Sequence, residues 1–259
     1  MSRKTRSLLT LVLIVIGVIA ANFIAFQSNT DTGNIANDTF NDLNYFFPAT
    51  YVFTTIWPVI YAGILGWAVY QALPAGRDNP RFQAAAPWVM LNIALNALWV
   101  YIFGLQMFVT TVGIMLTLLA VTVVLYRKLD IGGARVGLWE RLIQITVSIY
   151  LAWLSVATVA NIASALISVN WNGFGLSAEV WALVMLLVGA ALAVFLYRGL
   201  GNDVVIPLTY LYAYLGIVVR YSDVPLVMAG SVIGIVIVGG LAGWHFINRR
   251  GQSAALKAA

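Results

Sequence analysis

Eight long apolar segments, separated by polar links, dominate this sequence, and none of them contains Asp, Glu, Lys or Arg. A helix of about 20 apolar residues crosses the hydrocarbon core of a bilayer. Within that core every backbone N–H and C=O must be paired inside the protein, which leaves helices or closed barrels. The segments have helical length, so we predict an all-α integral membrane protein with eight transmembrane helices. The segments are Leu8–Gln27, Tyr51–Leu73, Pro87–Leu105, Phe108–Tyr126, Leu142–Ser168, Val180–Tyr197, Val204–Val219 and Leu226–Phe246.

The composition also indicates a membrane protein. Hydrophobic residues make up 62% of the 259 residues and charged residues only 9%, whereas soluble domains carry about 25% charged residues. The chain has no Cys and one His, so disulfides and thiolate metal sites are excluded and we predict no metal site. Ionisable groups at membrane depth are typical of ion-coupled transporters and voltage sensors. Their absence from the eight segments argues against those functions.

The distribution of charge predicts the orientation of the chain. If the N-terminus lies inside and the segments alternate in direction, thirteen of the fourteen basic residues lie inside and only Arg220 lies outside. This asymmetry is the positive-inside pattern of membrane proteins. It accounts for the net charge of +5 without nucleic-acid binding, and it places both termini in the cytoplasm. We expect the protein in the cytoplasmic membrane of a bacterium.

The longest link, Ser28–Thr50, lies on the predicted outer side and changes in character along its length. Its first part is polar and acidic. It ends in an aromatic group suited to the membrane interface, which consists of Tyr45, Phe46, Phe47 and Pro48. We predict that these four residues, called the lid below, cover the helix bundle.

Three of the apolar segments carry aromatic and carboxamide side chains at helical spacing. Side chains three, four or seven positions apart share one face of a helix, so each set forms a stripe. The stripes are Phe53, Trp57 and Tyr61 in the second segment, Asn92, Asn96, Trp99 and Phe103 in the third, and Tyr150, Trp153, Ala157 and Asn161 in the fifth.

With alternating helices, the three stripes meet in the outer half of the membrane beneath the lid. A cavity lined by indoles and a few amides suits a flat apolar ligand with some polar edges. The alternative is that each Asn hydrogen-bonds a neighbouring helix and each Trp simply fills space. For the three stripes taken together, we favour a ligand cavity.

These motifs resemble those of a known family. Trp57-Pro-Val-Ile-Tyr61, Asn92-x-x-x-Asn96-x-x-Trp99 and Tyr150-x-x-Trp153-x-x-x-Ala157-x-x-x-Asn161 look like the successive helix motifs of the tryptophan-rich sensory proteins, the TspO/peripheral benzodiazepine receptor family. The long link after the first helix and the tight turn after the third match as well. The sequence departs from the family pattern where Asn92 replaces a Gln, Ile149 replaces a Pro, and Pro48 stands in place of a Pro pair.

The resemblance covers roughly residues 1–170 and implies a five-helix bundle. It implies a non-enzymatic sensory protein that binds a tetrapyrrole, a sterol-like lipid or a pigment non-covalently beneath the first link, without a covalent cofactor. Residues 171–259 are predicted to add a C-terminal extension of three helices. The predicted ligand-binding residues are Trp57, Tyr61, Asn92, Asn96, Trp99, Tyr150, Trp153 and Asn161.

Two further functions remain open: an accessory structural subunit of a larger membrane complex, such as a pigment–protein complex, and a facilitative carrier of an apolar metabolite. The eighth segment contains pairs of small residues at helical spacing, which favour close helix packing. They predict a homodimer or a larger complex in addition to contacts with membrane lipid, through Gly230, Gly234, Gly239 and Gly243.

Overall fold

The computed structural model describes the backbone of residues 2–31, 44–133 and 136–258, and their side chains except those of residues 26–31, 53 and 249–258. The middle of the predicted 28–50 link, residues 32–43, lies outside the described part. The regular structure in the described part is helical. The eight long helices are α1 Arg3–Asp31, α2 Thr50–Ala72, α3 Pro80–Gly104, α4 Phe108–Lys128, α5 Leu138–Ser168, α6 Ala178–Gly199, α7 Val205–Arg220 and α8 Pro225–Ala258. Short helical turns at Pro74–Arg77 and Gly173–Gly175 complete the set.

The fold confirms an all-α membrane protein. Seven of the helices in the described part are long and apolar enough to cross a bilayer. The remaining helix, α7, has 16 residues, which corresponds to about 24 Å against a hydrocarbon core of about 30 Å. The seventh predicted segment is therefore helical but short.

Several helices begin earlier than the apolar segments predict, and in α3 local capping is the reason. The α3 helix begins at Pro80 rather than Pro87, and the Asn79 side chain accepts a hydrogen bond from the backbone N–H of Arg81. Asn before the helix and Pro in its first turn are favourable start signals. The α5 helix begins at Leu138 rather than Leu142, here without a side-chain cap. Arg81 and Glu140 thus lie in the first turns of helices that the sequence predicted to start later.

Helices α1 to α5 form a closed ring. The α1 helix packs against α2 and α3, α3 packs against α4, α4 against α5, and α5 returns to α2. The α5 helix is the most enclosed: 78% of the residues in its most apolar 18-residue stretch are buried, compared with 22–44% in the other spanning helices. The C-terminal helices lie beside this ring: α7 packs against α5 and α2, and α8 packs against α6 and α7.

Glycines allow the C-terminal helices to pack this closely. A Cβ on Gly234 of α8 would lie 2.5 Å from a ring carbon of Tyr214 in α7, and a Cβ on Gly230 would lie 2.9 Å from Leu183 in α6. These two glycines therefore serve contacts within the chain. Gly239 and Gly243 have open space beside them among the described residues, and a partner contact through them stays a prediction.

The end of the bundle that carries residues 44–49 is called the lid end. At the opposite end, polar groups join the ring to the extension. The carboxylate of Asp203 accepts hydrogen bonds from Tyr126 of α4 at 3.0 Å and from Ser148 of α5 at 2.5 Å. It also accepts one from the backbone N–H of Val205 at 3.0 Å. Asp203 thus starts α7 and ties it to two helices of the ring.

The ion pair between α3 and α5 provides a test of the packing at this end. Arg81 Nη2 lies 2.6 Å from Glu140 Oε1, and the Glu140 side chain is only 7% exposed. We expect Arg81→Gln to lower the free energy of unfolding by about 2 kcal/mol, because it leaves a buried carboxylate without its cation. This loss is smaller than for a fully buried ion pair, because Arg81 itself is partly exposed. Thermal denaturation in detergent measures the change. Arg77→Gln is the matched control, since Arg77 pairs with the exposed Asp78 at 3.9 Å, and equal effects of the two substitutions would contradict the assignment.

Candidate ligand cavity beneath the lid

The indole of Trp57 lies at the centre of an aromatic cluster that joins three helices. Its ring stacks on Tyr61 one turn along α2, with centroids 5.6 Å apart, and on Trp99 of α3 at 6.2 Å. The ring of Tyr150 in α5 meets Trp57 edge-on at 6.2 Å. The predicted stripes of α2, α3 and α5 thus face one another. The side chain of Phe53, the first residue of the α2 stripe, lies outside the described part.

A chain of hydrogen bonds at the lid end joins α3, α5 and α4. Trp99 Nε1 donates to Asn161 Oδ1 at 3.1 Å, and Asn161 Nδ2 donates to Thr111 Oγ1 at 2.7 Å. The Thr111 hydroxyl in turn donates to the backbone carbonyl of Phe108 at 2.6 Å. Every member is buried, so each polar group finds inside the protein the partner that lipid cannot offer.

A second polar group lies deeper, where Tyr61 Oη donates to Asn96 Oδ1 at 2.8 Å. The Tyr150 hydroxyl lies within electrostatic reach of both Tyr61 and Asn96. Asn96 Nδ2 and Tyr150 Oη are both buried and lie near each other, but neither makes a hydrogen bond of good geometry among the described residues. Buried polar groups without a well-formed hydrogen bond are costly, so hydrogen-bonding capacity remains beside the aromatic cluster.

Asn92 does not join this group. Its Nδ2 donates to Thr122 Oγ1 of α4 at 2.8 Å, and Thr122 donates onward to the Leu118 carbonyl at 2.7 Å. Asn92 lies one turn below Asn96 and points into the α3–α4 contact. For this residue the structure supports helix-to-helix hydrogen bonding, which was the alternative interpretation of each Asn.

The lid is held down on one side by α5. Asn44 Nδ2 donates to the Ala160 carbonyl at 2.8 Å and to Ser164 Oγ at 2.9 Å. Its Oδ1 accepts from the backbone N–H of Phe46 at 3.1 Å, which closes a tight turn. Asn44 is 2% exposed. The sequence analysis did not single out this residue, although a polar side chain directly before four interfacial residues is the signal for such an anchor.

The other side of the lid is held by α7. Tyr221 Oη donates to the Asn44 carbonyl at 3.0 Å, and its ring packs edge-on against Tyr45 with centroids 5.2 Å apart. Arg220 Nη1 donates to the Pro48 carbonyl at 3.2 Å, and its guanidinium lies 6.0 Å from the Phe47 ring centroid. The basic residue that the charge pattern placed alone on the outside thus binds the lid.

Backbone contact completes this attachment. The N–H of Ala49 donates to the Gly216 carbonyl at 3.0 Å. A Cβ on Gly216 would lie 2.6 Å from Val52 and 3.0 Å from Pro48, so only glycine lets α7 approach the lid this closely. The C-terminal extension therefore shapes the site beneath the lid.

The space enclosed beneath the lid is small. Its volume is about 30 Å³, which holds about two water molecules, whereas ligand pockets occupy about 300–1,000 Å³. Trp57, Trp99, Trp153 and Asn161 of the predicted ligand-binding residues line it, together with Phe46, Phe47 and Pro48 of the lid. Tyr61 and Tyr150 contact Trp57 behind this lining, and Asn96 is bonded to Tyr61. The described conformation is therefore a closed one.

A larger groove of about 410 Å³ lies next to this cavity, between α5, α6 and the Trp171–Leu176 segment. Asn44, Tyr45 and Phe46 form one wall, so Phe46 borders both spaces. The sequence patterns predicted no such groove. The indoles of Trp171 and Trp181 line it, with ring centroids 5.0 Å apart.

The ring of five helices with inward-facing indoles and amides, covered by a lid, defines a helical membrane protein built around an aromatic site. A family model described as TSPO-like protein matches residues 5–244, so the chain belongs to the TSPO-like protein family. The match confirms the family resemblance of the three motifs and continues through the C-terminal helices. The proposed division at residue 170 stays a prediction. No curated protein and no solved structure matches the chain.

Membership in this family establishes the general role. The chain is a multi-pass membrane protein of a sensory or ligand-binding kind, from a family that is generally not enzymatic.

Proposed function

We propose that this protein is a non-enzymatic membrane receptor that binds a flat apolar ligand, such as a tetrapyrrole, a sterol-like lipid or a pigment, beneath the lid. The observation that carries the proposal is the convergence of Trp57, Trp99 and Trp153 from three helices on one space under Phe46–Pro48. Indole rings offer large flat apolar surfaces. Among the described residues, none that line the cavity carries a charge, which favours a neutral apolar surface on the ligand.

The polar groups of the site favour a ligand with a few hydrogen-bonding edges. Asn96 Nδ2 is a buried donor, and the Tyr150 hydroxyl beside it is a buried donor and acceptor; neither makes a hydrogen bond of good geometry in the described part. A ligand acceptor that reached Asn96 would give this amide a well-formed hydrogen bond. Apolar faces with a few polar edge atoms meet both requirements.

Binding requires the closed site to open. A cavity of about 30 Å³ admits a ligand of this kind only if the lid and the Trp57 ring move. The lid is held by a few hydrogen bonds and ring contacts from α5 and α7. Each hydrogen bond of this kind contributes about 0.5–1.5 kcal/mol, so opening is accessible, and α7 sets the balance between the closed and open states.

Quenching of tryptophan fluorescence by protoporphyrin IX in purified protein tests the proposed function. We expect saturable quenching, because the ligand contacts several indoles at once. We expect Ala157→Phe to weaken binding about tenfold or more, because Ala157 lines the cavity and a benzyl group fills space that the ligand needs.

The matched control is Ala191→Phe, the same substitution at an exposed position of α6. Trp153→Ala provides a second variant, since Trp153 is 2% exposed and lines the same cavity. Absence of saturable quenching in the wild type, or equal affinities in wild type, Ala157→Phe and Trp153→Ala, rules out this function.

The attachment of the lid to α7 generates a further prediction that rests on this function. Tyr221→Phe removes the hydrogen bond to the Asn44 carbonyl and so raises the fraction of open protein. Because apparent affinity scales with the binding-competent fraction, we expect protoporphyrin IX to associate about threefold to tenfold faster and to bind more tightly. Stopped-flow fluorescence measures the rate.

Tyr101→Phe is the control, because Tyr101 is half exposed on α3 away from the lid contacts. A slower or unchanged association rate in Tyr221→Phe would show that α7 does not restrain the lid.

A further inference from the structure

The groove beside the lid is built by four separate parts of the chain. Asn44 and the lid residues Tyr45 and Phe46 form one wall, and Ile162, Ala163, Leu166 and Ile167 of α5 form the floor. The Trp171–Leu176 segment and the start of α6 form the remaining sides. These α5 residues are half-buried, whereas most of α5 is enclosed, so the groove gives access to α5 between the ring and the extension.

The walls are fixed by hydrogen bonds, so the groove is preformed. Asn44 is bonded to Ala160 and Ser164 of α5. Trp181 Nε1 donates to the Gly173 carbonyl at 2.8 Å, and Asn172 Oδ1 accepts from the Phe174 N–H at 3.1 Å. A preformed groove of about 410 Å³ lies in the size range of ligand sites, about 300–1,000 Å³.

The lining indicates what chemistry the groove accepts. Most of its described lining residues are apolar, and none of these is charged. Asn44 Nδ2, Asn44 Oδ1 and the Trp181 N–H already have partners within the protein, and Asn172 is exposed to the outside. Apart from the polar groups of Trp171 and Asn172, the groove therefore offers apolar contact area, which suits a flexible hydrocarbon chain better than a ligand with several polar edges.

The mouth of the groove has the character of a membrane interface. Trp171 and Trp181 lie there, and indoles concentrate at the level of lipid headgroups. Beside them Phe174 is 81% exposed, Val169 57% and Leu176 51%. Such apolar side chains at the end of a membrane bundle are covered by lipid rather than by water. A chain descending from the headgroup level at the lid end would pass these residues and end near Phe46.

From these observations we propose that the groove is a second binding site, distinct from the cavity beneath the lid, and that it holds one hydrocarbon chain of a phospholipid from the leaflet at the lid end. Phe46 separates this chain from the ligand cavity. This site does not depend on the identity of the ligand beneath the lid.

Native mass spectrometry of the full-length protein, titrated with dioleoylphosphatidylcholine in detergent, tests the proposal. We expect wild type to bind one phospholipid more tightly than the rest. Ala163→Phe places a ring in the floor of the groove. It should lower the affinity for this first lipid about tenfold, the effect expected when roughly two methylene groups of the lipid chain are no longer buried. Ala191→Phe, the same change on the exposed face of α6, should bind like wild type.

Ala178→Trp provides a second variant in case Ala163→Phe fails to fold. Ala178 lies at the exposed rim of the groove, so a larger side chain there obstructs the mouth without entering the core. Equal affinity for the first lipid in wild type, Ala191→Phe and the folded groove variants would overturn the proposal and show only general lipid contact.

A parallel titration with protoporphyrin IX separates this site from the cavity. We expect Ala163→Phe to keep the wild-type porphyrin affinity while it loses the lipid. Loss of porphyrin binding with unchanged lipid binding would overturn the proposal and assign the groove to the pigment. Loss of the tight lipid in a protein that binds no porphyrin at all would support the groove while removing the proposed function.

Discussion

Hydrocarbon offers no hydrogen bonds, and this constraint decides how the helices of this protein meet. The amide of Asn161 in α5 accepts from Trp99 of α3 and donates to Thr111 of α4, so three helices share one chain of polar contacts. The apolar segments of these helices contain no Asp, Glu, Lys or Arg, so no ion pair joins the helices at this depth. Once that chain forms, the aromatic residues on the same faces are brought together, and Trp57 of α2 completes the cluster by stacking on Trp99. The site therefore follows from the need to pair buried amides and indoles.

The C-terminal helices belong to this site as well as to the fold. The α7 helix supplies Tyr221, Arg220 and the Gly216 carbonyl to the lid, while α6 supplies one wall of the adjacent groove. Phe46 lies between the two spaces. The family model matches the chain through residue 244, so the match includes these C-terminal helices as well as the ring. The lid thus lies at the junction of ring, extension and membrane.

Much of this arrangement could be predicted from the sequence, because helical periodicity and lipid solubility are properties of single segments. The apolar segments predicted the helices. The helical spacing within each stripe predicted that Trp57, Trp99 and Asn161 lie on faces that meet. Helix starts were missed at Pro80, where Asn79 caps the helix, and at Leu138. The Arg81–Glu140 ion pair joins the two added turns, which lie in polar sequence.

The remainder depends on contacts between segments distant in the chain, which single-segment patterns do not contain. Asn92 belongs to the same stripe of α3 as Asn96, but its side chain bonds to Thr122 of α4. The way α3 packs against α4 decides which partner each amide meets. The contacts of Asn44 with Ser164 and of Tyr221 with Asn44 join residues more than a hundred positions apart. The groove arises from four such segments, so Trp171 and Trp181 gave no sign of it beyond their interfacial character.

A double-mutant cycle on Trp99 and Asn161 tests most directly whether the stripes converge as described. Free energies of unfolding in mixed micelles would be measured for wild type, Trp99→Phe, Asn161→Ala and the double variant. The account predicts a coupling energy of about 0.5–1.5 kcal/mol, the range for a hydrogen bond between membrane helices. Additive effects within about 0.3 kcal/mol would show that the two side chains do not meet and would contradict the convergence on which the site depends.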